Sequence, residues 1–194
     1  AIFGSKEVYA VETETGELLW QSPWETRHDV NAADPVISGD KVFITSGYGR
    51  GCSLIDISSN PPKTLWENKN MRAHMSGPVL WKGYLYGIDD RQLVCLDFET
   101  GEEKWSTRVS GKGSLMLADG KLIVISEKGK LIIAEATPEA FKEISSQQVV
   151  KGDDIKRTLC WSMPILANGK IYVRANYNLD GDKTGEIICV DVSK

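Results

Sequence analysis

Both histidines of this chain lie in polar stretches that also carry an arginine. His28 follows Arg27 and precedes Asp29, and His74 lies two residues after Arg72. Two later polar stretches add three more charged residues: Lys112, Asp153 and Arg157. Imidazole, guanidinium and ammonium groups bind anions and sugar hydroxyls through hydrogen bonds. If the fold brings these stretches together, we expect a polar pocket for such a ligand; otherwise the histidines satisfy backbone groups in ordinary loops.

Metal and nucleophile chemistry have weaker support. Asn178, Asp180 and Asp182 are spaced like the oxygen ligands of a calcium loop, but the twelfth position of that loop is Cys189 instead of an acid. We therefore favour a solvated hairpin and expect no bound metal. No spacing supports a hydrolase, and we assign no catalytic residue. The cysteines lack the spacing of zinc ligands, so we expect small buried thiols: Cys52, Cys95, Cys160 and Cys189.

The composition excludes two classes of partner. The 194 residues carry a net charge of −4 and have a pI near 5.3, whereas nucleic-acid binding requires a cationic face. We therefore expect no nucleic acid as a partner. No apolar run approaches the ~20 residues of a membrane-spanning helix. A signal peptide is not recognisable at Ala1, so we expect a cytosolic chain, an already processed chain or a fragment.

One pattern of eleven residues occurs twice. Residues 10–20 read AVETETGELLW and residues 95–105 read CLDFETGEEKW. We expect the glycine to adopt a left-handed conformation in a turn, the small first residue to leave room for a neighbouring indole, and the tryptophan to cover the seam between sheets. Seven residues are thereby assigned to adhesion between sheets instead of catalysis: Ala10, Gly16, Trp20, Trp66, Cys95, Gly101 and Trp105.

A hairpin pattern recurs between the copies of this motif. Four segments each contain an apolar pair, a tight turn and an alternating apolar strand: 35–44, 78–87, 115–124 and 164–173. Four short strands that recur every 37 to 49 residues or so are typical of a β-propeller blade. We predict an all-β propeller in one domain, 1–194, with four-stranded antiparallel blades at 33–66, 76–105 and 113–144 and partial blades at 1–20 and 161–192. One helical turn is predicted at 137–141, TPEAF, from a threonine N-cap followed by proline.

These motifs resemble the tryptophan docking motif of the PQQ-like β-propeller superfamily, Ala-x-Asp-x-x-Thr-Gly-x-x-x-Trp. Glu12 stands at the acidic position, and Cys95 replaces the alanine in the second copy. Residues 70–105 and 111–139 further resemble uncharacterised secreted PQQ-like propellers of planctomycetes and related bacteria. The resemblance implies a periplasmic or secreted location. It also implies a ligand face built from the loops that enter each first strand and those that join the second and third strands, including the loops that carry both histidines.

The same superfamily contains quinoprotein alcohol dehydrogenases, an outer-membrane assembly scaffold and repeats of unknown role. Its enzymes usually hold the quinone beside an adjacent cysteine pair, with calcium or lanthanide ligands and a carboxylate base. This chain has no Cys-Cys dipeptide, so we expect neither PQQ nor calcium as a cofactor. The leading interpretation is a non-enzymatic scaffold or binding module for a protein or a small polar ligand. The alternative is part of a PQQ-dependent alcohol or sugar dehydrogenase, with the pocket suited to a quinone carboxylate.

About four blades leave the closure of the ring open to three interpretations. We favour a chain that is the C-terminal half of a seven- or eight-bladed protein. A homodimer that pairs two chains into one eight-bladed ring is the second. In the third, residues 188–192 complete the first blade of a small ring, although residues 8–12 compete for the same strand position.

Overall fold

The computed structural model describes residues 1–150, 158–179 and 182–193, and every regular element within these ranges is a β-strand. None of the described residues belongs to a helix with the length and apolarity needed to cross a membrane. The nineteen strands in this part of the chain are β1 (Ile2–Phe3), β2 (Glu7–Val11), β3 (Leu18–Pro23), β4 (Val36–Ser38), β5 (Lys41–Ser46), β6 (Gly51–Asp56), β7 (Lys63–Asn68), β8 (Val79–Trp81), β9 (Tyr84–Asp89), β10 (Gln92–Asp97), β11 (Glu103–Thr107), β12 (Ser114–Ala118), β13 (Lys121–Ile125), β14 (Lys130–Glu135), β15 (Glu143–Gln148), β16 (Thr158–Leu159), β17 (Ile165–Ala167), β18 (Lys170–Leu179) and β19 (Asp182–Asp191).

These strands form five antiparallel sheets, each from consecutive stretches of the chain. Sheet 1 has the order β1-β2-β3, and sheets 2, 3 and 4 contain β4 to β7, β8 to β11 and β12 to β15 in sequence order. In sheet 5, β18 is central, with β19 on one edge and both β16 and β17 on the other. The predicted all-β fold of four-stranded antiparallel sheets is confirmed.

Tight turns join β12 to β13 in sheet 4 and β17 to β18 in sheet 5, as the sequence predicts. Asp119 and Gly120 have φ values of 47° and 67°, and Asn168 and Gly169 have values of 50° and 70°. Positive φ at both central residues gives a two-residue turn the twist that matches its flanking strands. The hairpins β12–β13 and β17–β18 follow directly from these dipeptides.

Tryptophans lie at the seams between neighbouring sheets. Trp66, in β7, donates its Nε1–H to the carbonyl oxygen of Phe98 at 3.2 Å. Its ring lies over Gly101, where an added Cβ would approach the indole to 2.7 Å. Trp20 is buried with Ala10 in the apolar cluster that sheets 1 and 2 share. The Trp66 indole therefore occupies space that a glycine at position 101 leaves open.

The predicted helical turn at 137–141 is wrong. These residues form a non-helical connection between β14 and β15. Trp105 of sheet 3 donates its Nε1–H to the carbonyl oxygen of Thr137 at 2.9 Å, and its ring packs against Phe141 with centroids 5.9 Å apart. Cys95 is buried in the same cluster. Contacts with the neighbouring sheet decide this backbone path, because a single isolated helical turn is unfavourable by itself.

Four buried apolar clusters join the sheets in order, 1 with 2, 2 with 3, 3 with 4 and 4 with 5. Across the described ranges, no comparable cluster joins sheet 5 to sheet 1. Residues 188–191 belong to β19 and pair with β18, whereas Glu7–Val11 is the middle strand of sheet 1. The small ring in which 188–192 completes the first blade is therefore not the observed arrangement.

Candidate functional site

Two sets of loops lie at the same end of the sheets. One set leads from the last strand of a sheet to the next sheet, at residues 24–35, 69–78 and 108–113. The other joins second and third strands, at residues 47–50, 90–91 and 126–129. Because successive strands run antiparallel, both sets emerge from one end, which we call the loop face. Both histidines lie on the loop face.

Three aromatic rings form a row across the loop face. The ring of Tyr48 lies between those of His28 and His74, with centroids 4.8 Å away on each side and interplanar angles of 76° and 65°. Gly47 makes room for this row, since a Cβ at that position would lie 2.7 Å from the His74 ring. The two histidines thus contact one tyrosine although each comes from a different loop.

The backbone of Tyr48 is in an unusual conformation. Its φ is 55°, that of Gly49 is 77°, and the Arg50 N–H closes the turn on the Gly47 carbonyl oxygen at 3.1 Å. Left-handed backbone at a residue with a side chain costs about 1–2 kcal/mol and is rare for bulky residues. The Tyr48 side chain is nevertheless 49% exposed, so burial does not offset this cost. An exposed ring held at a backbone cost is typical of a binding loop.

An ion-pair network fixes the His74 end of the row. Arg72 donates from Nε and Nη2 to the two carboxylate oxygens of Asp89, each at 2.7 Å. Its Nη1 lies 3.3 Å from Asp90 Oδ2, and His74 Nε2 lies 2.8 Å from Asp90 Oδ1. The hydrogen bonds to Asp89 raise the pKa of Arg72 above its ordinary value, so this guanidinium stays charged. Arg72 therefore orients the loop, and its charge is already balanced by carboxylates.

A second network holds the loop that carries His28. Trp24 donates its Nε1–H to Ser46 Oγ at 2.9 Å, and Ser46 donates to Asn31 Oδ1 at 2.6 Å. Asn31 Nδ2 in turn donates to the Gly4 carbonyl oxygen of sheet 1 at 2.9 Å. The Arg50 guanidinium lies 3.5 Å from the centre of the Trp24 ring, a cation–π contact. The loop is therefore tied to two sheets beneath it.

An open cleft of about 650 Å³ adjoins the His74–Asp90 pair. It lies between the β9–β10 turn and the loop that leads from β11 to β12, and its lining includes Asp89, Asp90, Arg91, Gln92, Arg108 and Lys112. Lys112 also lines a small cavity together with His74 and Asp90. The cleft therefore continues the histidine–tyrosine row toward sheet 4.

The structure places the predicted site residues in different roles. His28 and His74 meet through Tyr48, Lys112 lies near His74, and Arg72 is engaged by Asp89. The two charged neighbours of His28 are exposed on its turn: Arg27 and Asp29. Three residues of the sequence-based hypotheses lie outside the described residues: Asp153, Arg157 and Asp180.

Three residues of the site were missed by the sequence analysis: Tyr48, Asp89 and Asp90. Glycines flank Tyr48 on both sides, which is a usable signal for an exposed tight turn. Asp89 ends the second strand of its sheet, and Asp90 is the first residue of the loop-face turn that follows. Their pairing with Arg72 and His74 depends on how one loop folds over the next, which local sequence does not encode.

Metal-ligating side chains are not clustered in the described part of the chain. No group of three or more His, Cys, Asp or Glu side chains among them is arranged to hold a metal ion. Burial raises the pKa of the Cys52 and Cys95 thiols to about 12 and that of Cys160 to about 11. Thiols with such values stay protonated and unreactive at neutral pH. These three cysteines pack between sheets as predicted. The predicted burial is wrong for Cys189, which is exposed on β19.

The fold and its repeated seams define a β-propeller of PQQ-like repeats. The sequence pattern of the family described as outer membrane protein assembly factor BamB matches residues 1–107 and 63–138. The chain belongs to this family.

Solved structures share this architecture. BamB from Moraxella catarrhalis superposes with a TM-score of 0.64 at 20% identity, over 94% of this chain and 59% of that chain. A europium-containing methanol dehydrogenase gives a TM-score of 0.59 at 12% identity, over 74% of this chain and 34% of the enzyme. At these identities the likeness shows the fold alone.

A curated relative gives a local match. The protein named "Putative dehydrogenase XoxF", from Paracoccus denitrificans, is 29% identical over 91 residues, which cover 41% of this chain and 15% of that protein. The chain therefore spans less than two thirds of the length of both this relative and the BamB structure.

Proposed function

We propose that this chain is part of a non-enzymatic β-propeller module whose loop face binds a protein partner or a small polar ligand. The row of His28, Tyr48 and His74 carries the proposal, because its three side chains come from three separate loops and are fixed from below. An exposed tyrosine beside two imidazoles offers apolar area and hydrogen-bonding groups together. Loops held by a rigid scaffold lose little conformational entropy when they bind.

The family description supports a partner in the cell envelope. The matched pattern is that of outer membrane protein assembly factor BamB, which is the reason to propose a periplasmic or secreted location. Because this family is named for protein assembly, we would test a protein partner before a small polar ligand.

Site-specific crosslinking tests this function. Benzoylphenylalanine in place of Tyr48 should yield a discrete adduct with one partner after illumination of cells that express the native gene. The matched control places the same residue at Lys63, which is exposed at the opposite end of sheet 2. The same adducts from both positions, or none from position 48, would contradict binding at the loop face.

A second candidate is a segment of a PQQ-dependent alcohol or sugar dehydrogenase. The local identity with the protein named dehydrogenase XoxF favours it. It requires quinone-holding residues from outside the described part of the chain. Dye-linked alcohol oxidation after addition of PQQ and Ca²⁺ distinguishes the two: turnover above that of the heat-denatured chain overturns the non-enzymatic proposal, and turnover equal to that control contradicts the dehydrogenase.

A further inference from the structure

The cleft beside His74 and Asp90 contains three basic side chains that come from two loops. Arg91 belongs to the β9–β10 turn, whereas Arg108 and Lys112 belong to the loop that leads to β12. Both arginines are exposed and Lys112 is partly exposed. Within the part of the chain that the structure describes, none of the three forms an ion pair. Their charges are therefore not neutralised by any described carboxylate.

The two carboxylates of the cleft are already engaged. Asp89 accepts both side-chain hydrogen bonds from Arg72 and also its backbone N–H at 2.9 Å. Asp90 contacts His74 and Arg72. Together with Arg72, which pairs with both aspartates from beside the cleft, the three basic side chains set four cationic groups against two carboxylates. In a chain with a net charge of −4, this excess is opposite in sign to the molecule as a whole.

We propose that this cleft binds an acidic segment of the protein partner, with carboxylates paired to Arg91, Arg108 and Lys112. The inference rests on the proposed binding function of the loop face and specifies the chemistry of what is bound. Guanidinium groups suit carboxylates because two parallel hydrogen bonds form at once. The cleft is open along the surface, which favours an extended chain segment, since pockets for small molecules enclose most of their ligand.

The neighbouring ring row adds a second contact for such a segment. Asp90 lies in the cleft lining and bonds to His74, whose ring contacts Tyr48. A segment with acidic residues and an adjacent apolar side chain would therefore reach the basic cleft and the exposed Tyr48 ring together. Rim charges of this kind speed association and set orientation, while the aromatic ring contributes buried area.

Fluorescence anisotropy with a labelled oligoglutamate peptide tests the proposal, with oligolysine of the same length as the probe of opposite charge. We expect saturable binding of oligoglutamate alone, which weakens as salt approaches ~0.15 M and the Debye length shortens to about 8 Å. The triple variant R91Q/R108Q/K112Q should bind about tenfold more weakly or worse, because several modest ion pairs are lost together. Thermal unfolding establishes that the variant is folded.

The matched control, K63Q/K82Q/K170Q, removes the same charge from exposed lysines at the opposite end of the sheets. It should bind oligoglutamate as the native chain does. Equal weakening in both triple variants, or no binding at low salt, would overturn the proposal. Displacement of the peptide by an equal concentration of inorganic phosphate would also overturn it, in favour of a lone anion. A partner crosslinked at position 48 without peptide binding rejects the acidic segment and leaves the binding module intact.

Discussion

Gly47 controls where the His74 ring can lie, and through it the pairing with Asp90. A Cβ at Gly47 would meet that ring at 2.7 Å. In G47A we expect the ring to rotate away, with the loss of the 2.8 Å contact to Asp90. The free energy of unfolding should fall by only about 1 kcal/mol, because a side chain can yield where a packed backbone cannot. Histidine NMR signals and urea unfolding measure both effects.

Gly49 provides the control for this change, because a Cβ there meets nothing within 4 Å although its φ is 77°. G49A should lower stability by a similar amount through backbone strain alone, about 1–2 kcal/mol. It should leave the His74 signal in place. An unchanged His74 signal in G47A would show that the ring row is not packed as described.

Burial of the thiols gives a prediction about reactivity. Cys52, Cys95 and Cys160 are buried, and Cys189 is exposed. Burial also raises the pKa of the three buried thiols. A thiol reagent should therefore label Cys189 alone in the native chain and all four cysteines in denaturant. Rapid labelling of two or more thiols in the native chain would contradict the burial of these cysteines between the sheets.

Because these thiols are buried, the free energy of unfolding depends on pH in the alkaline range. The pKa of Cys52 rises from 9.0 to about 12 on folding, so the unfolded state loses its thiol proton first as pH increases. The free energy of unfolding should therefore be undiminished below about pH 9 and should fall as pH rises from there toward 12. Urea unfolding across this window measures the slope. C52A should make the slope shallower without removing it, because Cys95 and Cys160 contribute in the same range, and C189A should leave the slope unchanged; equal slopes in both variants would exclude Cys52 as a source.

At the scale of the strands and turns, the two copies of the eleven-residue motif differ in the side chains that pack against their glycine. Gly16 and Gly101 have nearly the same backbone, with φ values of 73° and 70°. A Cβ at Gly101 would lie 2.5 Å from Asn68 Nδ2 and 2.7 Å from the Trp66 indole, whereas a Cβ at Gly16 meets nothing within 4 Å. Replacement by alanine should cost about 1–2 kcal/mol at Gly16 from backbone strain. At Gly101 it should cost about 1–3 kcal/mol more, because the Trp66 indole and the Asn68 side chain must also move.

Urea unfolding of G16A and G101A measures that difference directly, and the NMR signal of the Trp66 indole N–H should shift in G101A alone. Equal losses of stability would mean that neither Trp66 nor Asn68 packs tightly against Gly101. The comparison is matched, because the same substitution is made in the same turn type.

The elements could be predicted because their signals are local. Asp119-Gly120 and Asn168-Gly169 specify tight hairpins by themselves, and the two tryptophan motifs mark the strands around them. The prediction of a helical turn at 137–141 was wrong because Trp105 of the neighbouring sheet donates a hydrogen bond to this segment and thereby determines its backbone conformation. The site was predicted only in part for the same reason. Loop membership placed both histidines on one face, but the contact through Tyr48 depends on packing between loops.

At the scale of the whole molecule, the outer face of sheet 5 carries exposed isoleucines and is uncovered in the described structure. Ile165 and Ile187 lie on that face, 58% and 76% exposed, as their pairing with Tyr172 and Arg174 on alternate positions of β18 shows. Uncovered sheet faces in repeat architectures favour association. We predict that the chain associates as its concentration rises, as sedimentation velocity would measure.

The double variant I165S/I187S should weaken this association. Its control is I37S/I144S, which alters isoleucines of similar exposure, 54% and 52%, on other sheets. The control should associate like the native chain. A native chain that stays monomeric at all concentrations, or equal changes in both double variants, would contradict this role of sheet 5.

The proposed binding function of the whole module rests on one surface, the loop face. Hydrogen–deuterium exchange of the chain, alone and joined to the partner crosslinked through position 48, measures that surface most directly. Partner binding should slow exchange at residues 24–35, 47–50, 69–78 and 108–113 and leave the turns at the opposite end of the sheets unchanged. Protection confined to those opposite turns, or spread equally over both ends, would contradict a binding site on the loop face.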